Sequence, residues 1–334
     1  MRLLDPRGHH PARETVTEKV FADINGVRQG MFIQCADPAR PVLLYLHGGL
    51  PEYFLTDRYP TGLDMDFTVA WWEQRGAGLS YRPAIPPETM TLEQFIADTL
   101  SVTDYLRNRF SQEKIYLMAH SGGTFIGLQA AARRPDKYHA YIGVAQVVDQ
   151  RRSETLAYDY MLERFRDEGN RSMVRKLEAA PVTMTAGTNG RYLAVRDRAM
   201  HSLGVGTTRD MNSVLRGVVW PSLLTPHYTI AEKIGLWRGK RAAGVSTLWE
   251  EMLAADLTER VPELALPAHF FHGICDQTVS YELAKAYAEK LTAPLKGFYT
   301  FYQSAHSPLF EEPHKARRIM RDDVLNGTST LADS

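Results

Sequence analysis

The sequence predicts an α/β fold: a mostly parallel, eight-stranded sheet flanked by helices, with a helical segment inserted after the sixth strand. Three observations predict it. Short continuous apolar runs, such as residues 42–46 and 115–119, have the length of strands buried on both faces and end in glycine-bearing turns. Stretches with the helical period stand between such runs, over short connections that imply right-handed crossovers. Residues 149–261, by contrast, carry one charged helical pattern after another and no buried-strand run.

In chain order, residues 14–35 alternate and contain Asn25-Gly26, the signature of a hairpin or a pair of early strands. Pro41 introduces the run 42–46, which ends in His47-Gly48-Gly49, and a third run, FTVAWWEQRGAG, ends in Glu73-Gln74-Arg75-Gly76. Residues 91–110 follow the helical period, with Thr91 and Gln94 as a capping box. KIYLMAHSGGTFIG, residues 114–127, reads as a buried strand, a sharp turn with Ser121 at its tip and the start of a helix. A strand is expected over 140–148. Strand character resumes at PAHFFHGICDQTVS, followed by the helix SYELAKAYAEKL, the strand GFYTFYQSAHS and a helix from about Pro313 to Leu325. The tail NGTSTLADS is expected to fray. Residues 1–148 and 262–334 thus form a core domain and 149–261 a helical cap.

Lysine plus arginine equal aspartate plus glutamate, 39 against 39, which gives no electrostatic case for a nucleic-acid or anionic-membrane partner. A neutral small-molecule substrate is easier to reconcile with this balance, and a homo-oligomer is compatible with it. The N-terminus has no apolar stretch of signal-peptide length, and nothing approaches the roughly 18 apolar residues of a spanning helix, so a cytoplasmic protein is expected. Cys35 and Cys275, far apart in sequence, argue against a disulfide framework, and Cys275 reads as a buried apolar filler.

The turn at Ser121 fits the nucleophile elbow, G-x-S-x-G, in which the residues two before and two after the serine must be small; Ala119 and Gly123 are. A serine nucleophile needs a base, a carboxylate to orient it and N–H groups for the oxyanion. Asp276 follows the strand HFFHGI, and His306 follows the next strand, one strand-helix-strand step later. Both therefore fall at the carboxyl edge of the sheet with Ser121. Gly49 and Gly122 are the expected oxyanion donors, with Leu50 as alternative to Gly49. Asp149 rivals Asp276, and His120 is assigned packing or oxyanion support rather than the role of base. His269 and His272, at a strand spacing that places them on opposite faces, are not expected to form a metal pair. Arg75 is expected to tie loop carbonyls. Glu154, Asp159, Glu163, Asp167 and Glu168 alternate with arginines and read as a solvated, ion-paired face. Trp220, Tyr228, Trp237 and Trp249 are expected to divide between a pocket lining and the cap's own core.

On LHGG at 46–49, WEQRGAGLS at 72–80, AHSGG at 119–123, GICD at 273–276 and SAHSPLFEEP at 304–313, the chain resembles the α/β-hydrolases, and within them the proline iminopeptidase-related branch. The resemblance implies a serine hydrolase that works through an acyl-enzyme and needs no cofactor or metal. Aminopeptidases of this branch usually carry HGGPG, DQRG and a GGSWG elbow, where this chain has HGGLP, Glu73 for the aspartate and AHSGG. These departures shift the expected substrate to an ester or lactone of a small, fairly apolar molecule. An aminopeptidase is the second reading, and a slow-turnover ligand-binding protein the third.

Overall fold

A computed structural model describes residues 16–185, 188–243 and 247–333, so the N-terminal stretch read for a leader lies outside the described residues. Strands β1 (Val16–Ile24) and β2 (Val27–Cys35) form the expected hairpin, turning through Asn25 and Gly26 with φ of 50° and 75°, the paired left-handed geometry that Asn-Gly adopts readily. They are followed by β3 (Val42–Leu46), β4 (Thr68–Glu73), α1 (Leu92–Phe110), β5 (Ile115–His120), α2 (Gly122–Arg133) and β6 (Tyr138–Val144). Helices α3 (Gln150–Asp167), α4 (Arg171–Glu178), α5 (Gly190–Ser202), α6 (Trp220–Leu224), α7 (Ile230–Ala243), α8 (Thr247–Ala254) and α9 (Leu257–Arg260) then intervene before β7 (Ala268–Gly273). The chain closes with α10 (Tyr281–Lys290), β8 (Lys296–Phe301), α11 (Pro308–Glu311) and α12 (Pro313–Ile319).

The eight strands make one sheet in the order β1-β2-β4-β3-β5-β6-β7-β8, antiparallel at β1-β2 and β2-β4 and parallel from there on. Every residue of β3, β4, β5 and β7 is buried, as the continuous apolar runs require. Alternate side chains feed two cores: Leu44, Leu46, Leu117 and Ala119 pack on one face, Leu43, Tyr45, Tyr116 and Met118 on the other.

Several sequence expectations need correction. The sixth strand stops at Val144 rather than residue 148, because Ala145 takes φ 50° and leaves the extended conformation. The tail does not fray. Asp323 accepts hydrogen bonds from Thr330 N (2.9 Å) and Leu331 N (2.8 Å), and Asp333 accepts one from Thr300 N (2.8 Å), which fastens the tail beside β8. Cys275 is half-buried rather than a core filler, since it sits in the turn after β7.

Arg75 does not tie carbonyls. It forms a buried two-pronged pair with Asp98 of α1 (2.7 and 2.9 Å), and Asp98 also accepts from Asn25 Nδ2 (2.8 Å), Gln29 Nε2 (2.7 Å) and Gln94 Nε2 (2.8 Å). One carboxylate thus joins the hairpin turn, the loop after β4 and α1. Gln94 spends its side chain here, so of the capping box only the Thr91 half, accepting from Gln94 N at 3.3 Å, forms. Removing Asp98 would strand a buried guanidinium. Asp98→Ala is expected to lower unfolding stability by about 3–5 kcal/mol, read as a shift in the urea midpoint at unchanged slope.

Candidate active site

Ser121 joins β5 to α2 with φ 55° and ψ −129°, a conformation a side-chain-bearing residue holds only when its surroundings dictate it. Its N–H donates to Val144 O (2.9 Å), and the glycines around it allow neighbouring elements to approach closely. A Cβ on Gly123 would lie 2.5 Å from His47 O and 2.7 Å from Leu46 O, and one on Gly48 would lie 2.7 Å from Ser121 Cβ. The structure also explains Ala119 where the elbow template has glycine. A Cβ at Gly127, one turn along α2 from Gly123, would come within 2.9 Å of the Ala119 methyl, so the room that methyl occupies comes from the helix.

Asp276 and His306, on the turns after β7 and β8, meet: His306 Nδ1 lies 2.8 Å from Asp276 Oδ2. Asp276 Oδ1 accepts from Thr278 N (2.7 Å) and Val279 N (3.1 Å), and His272 Nε2 stands 3.3 Å from Oδ2. Burial alone would raise the Asp276 carboxyl, but His306 and His272 outweigh it and hold the group well below the usual carboxylate range. Burial lowers the His306 pKa despite the pull of Asp276 in the opposite direction, so the ring is neutral around pH 7. With Nδ1–H donated to Asp276, Nε2 is left as the basic nitrogen. Among the described residues neither Ser121 Oγ nor His306 Nε2 has a hydrogen-bond partner, and both residues line one cavity of about 530 Å³. Asp149, the rival carboxylate, instead caps α3 by accepting from Arg152 N (2.9 Å).

Gly48, Gly49, Leu50 and Gly122 line the same cavity. His47, beneath them, is buried, and desolvation lowers its pKa to about 4. The neutral ring accepts from Gln74 N at Nε2 (3.1 Å) and bonds Gly48 O through Nδ1 (2.7 Å). Because the peptide is planar and trans, the Gly49 N–H points away from that tethered carbonyl.

His120 plays a part that sequence reasoning missed. Its Nδ1 lies 2.8 Å from Glu52 Oε1, and its Nε2 donates to the backbone oxygen of His306 (2.8 Å). Glu52 accepts in addition from Tyr45 OH (2.5 Å). Burial would lower the His120 pKa, but the Glu52 carboxylate overrides it and the pKa is raised, consistent with a ring that donates from both nitrogens. The N–H of His306 meanwhile donates to Gly206 O (3.2 Å) from the helical segment, and Glu311 accepts from Ala305 N (2.9 Å). The only sequence signal for Glu52 is a lone acid three residues after Gly49.

The helical segment supplies much of the remaining cavity wall, including Leu193, Met200, Val218, Trp237, Trp249 and Met252. Of the four aromatic candidates, Trp237 and Trp249 line it, Tyr228 packs into the main core and Trp220 is exposed. The segment's own core is built instead around Tyr158, Met161, Phe165, Leu177 and Tyr192. Asp159, Glu163, Asp167 and Glu168 are exposed, as expected. Glu154 is not: it is buried and held by Arg196 through two bonds of 2.7 Å, with Tyr192 OH donating at 2.9 Å. Glu73 is also buried; desolvation raises its pKa to about 8, and it bonds Leu79 N (2.5 Å) and Tyr228 OH, linking β4 to the segment. His269 bonds Tyr299 OH (3.1 Å) and His272 approaches Val279 O (3.2 Å), so the two serve separate partners. Among the described residues no helix is long and apolar enough to cross a membrane.

A family model described as "alpha/beta hydrolase fold" matches residues 41–313, more than half of the chain. A protein of Bacillus subtilis strain 168 named probable aminopeptidase YbaC is 31% identical over 91% of this chain and 95% of its own length. The crystal structure of a proline iminopeptidase from Mycobacterium smegmatis superposes with TM-score 0.67 at 16% identity, covering 92% of this chain and 98% of that one. That of a proline iminopeptidase-related protein from Thermus thermophilus gives 0.64 at 18%, covering 95% and 99%. At these identities the two structures speak for the fold.

Glu52→Gln removes the charge that raises the His120 pKa and loosens the grip on the His306 carbonyl. A fall in turnover of roughly ten- to hundredfold is expected, the scale on which small misplacements act, with an unchanged far-UV spectrum. A histidine NMR titration should show the His120 pKa falling.

Proposed function

The chain belongs to the α/β-hydrolase fold family, and we propose that within it the chain is a serine hydrolase of an ester or lactone bond in a small, fairly apolar molecule. The observation that carries this reading is the shared cavity: Ser121 on a strained turn and His306, tethered to Asp276 at 2.8 Å, both line it. Ser121 Oγ attacks the acyl carbonyl while His306 Nε2 takes its proton. Asp276 fixes the tautomer and stabilises the imidazolium that forms. The N–H groups of Gly49 and Gly122 receive the developing oxyanion, a role supported by the tethering of the Gly48 carbonyl to His47 on the opposite side of the peptide. His306 returns the proton to the leaving oxygen, the acyl-enzyme forms, and water activated by the same histidine releases the acid. The helical segment 149–261 serves as the cap, and its apolar lining supports a substrate with an apolar body.

An aminopeptidase is the second reading, favoured by the name of the Bacillus subtilis relative. Against it stands the state of the cap carboxylates: Glu154 is buried and bonded by Arg196, Asp159, Glu163, Asp167 and Glu168 are not on the cavity wall, and Asp197, which is, lies 3.0 Å from Arg196.

Hydrolysis of acyl esters of rising chain length, lactones and prolyl or other aminoacyl arylamides decides between the two, with Ser121→Ala as the blank. Ester or lactone turnover with silent arylamides is expected, and the reverse pattern would make the protein a peptidase. Ser121→Ala should lower kcat by roughly 10³-fold or more, as loss of a triad nucleophile does. Near-normal turnover would overturn the assignment.

The pH dependence follows from His306. The base works only when neutral, and burial lowers its pKa in the folded protein. The acid limb of kcat/KM should therefore have its midpoint below about 6.5, the value of a free imidazole. A midpoint above that would place the base elsewhere.

A further inference from the structure

Two cations on the cavity wall are left over from the mechanism. Helix α7 passes over the site with Gly235 and Gly239 against the loop after β4: a Cβ on Gly235 would lie 3.1 Å from Gly78 O, and one on Gly239 only 2.3 Å from Gly76 O. This close seating fixes the helix and with it the next two residues, Lys240 and Arg241, both of which line the cavity. The Lys240 Nζ stands 3.9 Å from the point a Cβ of Gly49 would occupy, beside the loop assigned to the oxyanion. A cation in the last turn of a helix suits the helix dipole and needs no ligand on that ground. The charge inventory of the wall asks for more. Its two acids are already engaged, Glu52 with His120 at 2.8 Å and Asp197 with Arg196 at 3.0 Å, and Arg196 is further neutralised by Glu154. Asp197 is within electrostatic reach of Lys240, yet among the described residues neither Lys240 nor Arg241 forms a salt bridge or hydrogen bond. Arg196 can offset only one of Glu154 and Asp197, so the other carboxylate stands against Lys240 and Arg241, and the wall presents these two directly unpaired cations with a net excess of one positive charge.

We propose that Lys240 and Arg241 form an anion-reading subsite, and that the preferred substrate is an ester carrying a carboxylate within reach of the scissile carbonyl. The inference rests on the serine-hydrolase reading of the same cavity and narrows its substrate class. It also runs against an N-terminal ammonium as the recognised group, because like charges in a partly desolvated site repel.

Matched esters test it. Ethyl hexanoate, monoethyl adipate and ethyl 6-aminohexanoate share a six-carbon acyl chain and differ in terminal charge; phenyl butyrate and 4-carboxyphenyl butyrate place the charge on the leaving group instead. In at least one series the wild type is expected to favour the carboxylate over the neutral ester by roughly tenfold in kcat/KM, the scale of a charge-assisted contact. The preference should shrink in high salt, and the aminohexanoate should be disfavoured. In the double variant Lys240→Met/Arg241→Met the ratio of anionic to neutral ester should fall to near one. Lys240 acting only on the oxyanion would lower both esters together and leave the ratio intact, which overturns the proposal. So would a ratio of one in the wild type; Ser121-dependent cleavage of the neutral esters would then leave the hydrolase reading standing. Binding is read separately on the Ser121→Ala protein by calorimetry. Tighter binding of monoethyl adipate than of ethyl hexanoate, abolished when both cations are also replaced, supports the subsite. Equal binding sinks it, whatever the turnover assay shows.

Discussion

The structure depends most on one steric constraint, the close passage of β3, β5 and α2 around the strained backbone of Ser121. A residue at φ 55° and ψ −129° is held there by what surrounds it. Here the surroundings are Val144 O, which takes its N–H, and three glycines that let neighbouring elements approach to distances no Cβ would allow. Gly48 makes room for the serine itself, Gly123 for the carbonyls at the end of β3, and Gly127 for the methyl of Ala119. Ser121, the loop of Gly48 and Gly49 and the N-terminus of α2 are brought together by the same contacts that close the sheet's centre.

Around that point the site is braced at the backbone as well as at the side chains. His306 is oriented at its ring by Asp276, but its peptide is gripped from two sides, by His120 at the carbonyl and by Gly206 at the N–H. The first grip runs back through Glu52 to Tyr45 on β3, so the strand that leads to Gly48 and Gly49 also steadies the loop that carries His306. The second comes from the helical segment between β6 and β7, whose position therefore bears on the placement of His306 as well as on the shape of the cavity. The segment is anchored in turn by Tyr228 on Glu73 and by the glycine face of α7 on the loop after β4. Where the resembled branch has an aspartate, the longer Glu73 reaches Leu79 N and Tyr228 at once, and Gly78 has no side chain to collide with it.

Local signals in the sequence were sufficient for the elements and for the bringing together of Ser121, Asp276 and His306. Continuous apolar runs specify strands buried on both faces, Asn25-Gly26 specifies its turn, and the carboxyl ends of parallel strands share one edge of the sheet, so residues placed there must meet. Those rules depend on short-range periodicity and on topology, and a sequence displays both. The same rules misjudged the end of β6, because one left-handed residue, Ala145, stops a strand without any glycine to announce it.

What only the tertiary structure decided is which polar groups find each other across long separations. Nothing local marks Asp98 as the partner of Arg75 or Glu52 as the partner of His120, and the arginine that neutralises Glu154 lies on a different helix. Burial makes each of these pairings obligatory, since an unpaired charge in a core is costly, but burial is a property of the assembled fold. The tail shows the same division: polar and small in sequence, it is held because Asp323 and Thr300 happen to face its backbone and side chains. The sequence determined the sheet, its order of elements and the edge at which Ser121, Asp276 and His306 gather. The packing of distant segments determined which charges are engaged and which, Lys240 and Arg241 among them, are left facing the cavity.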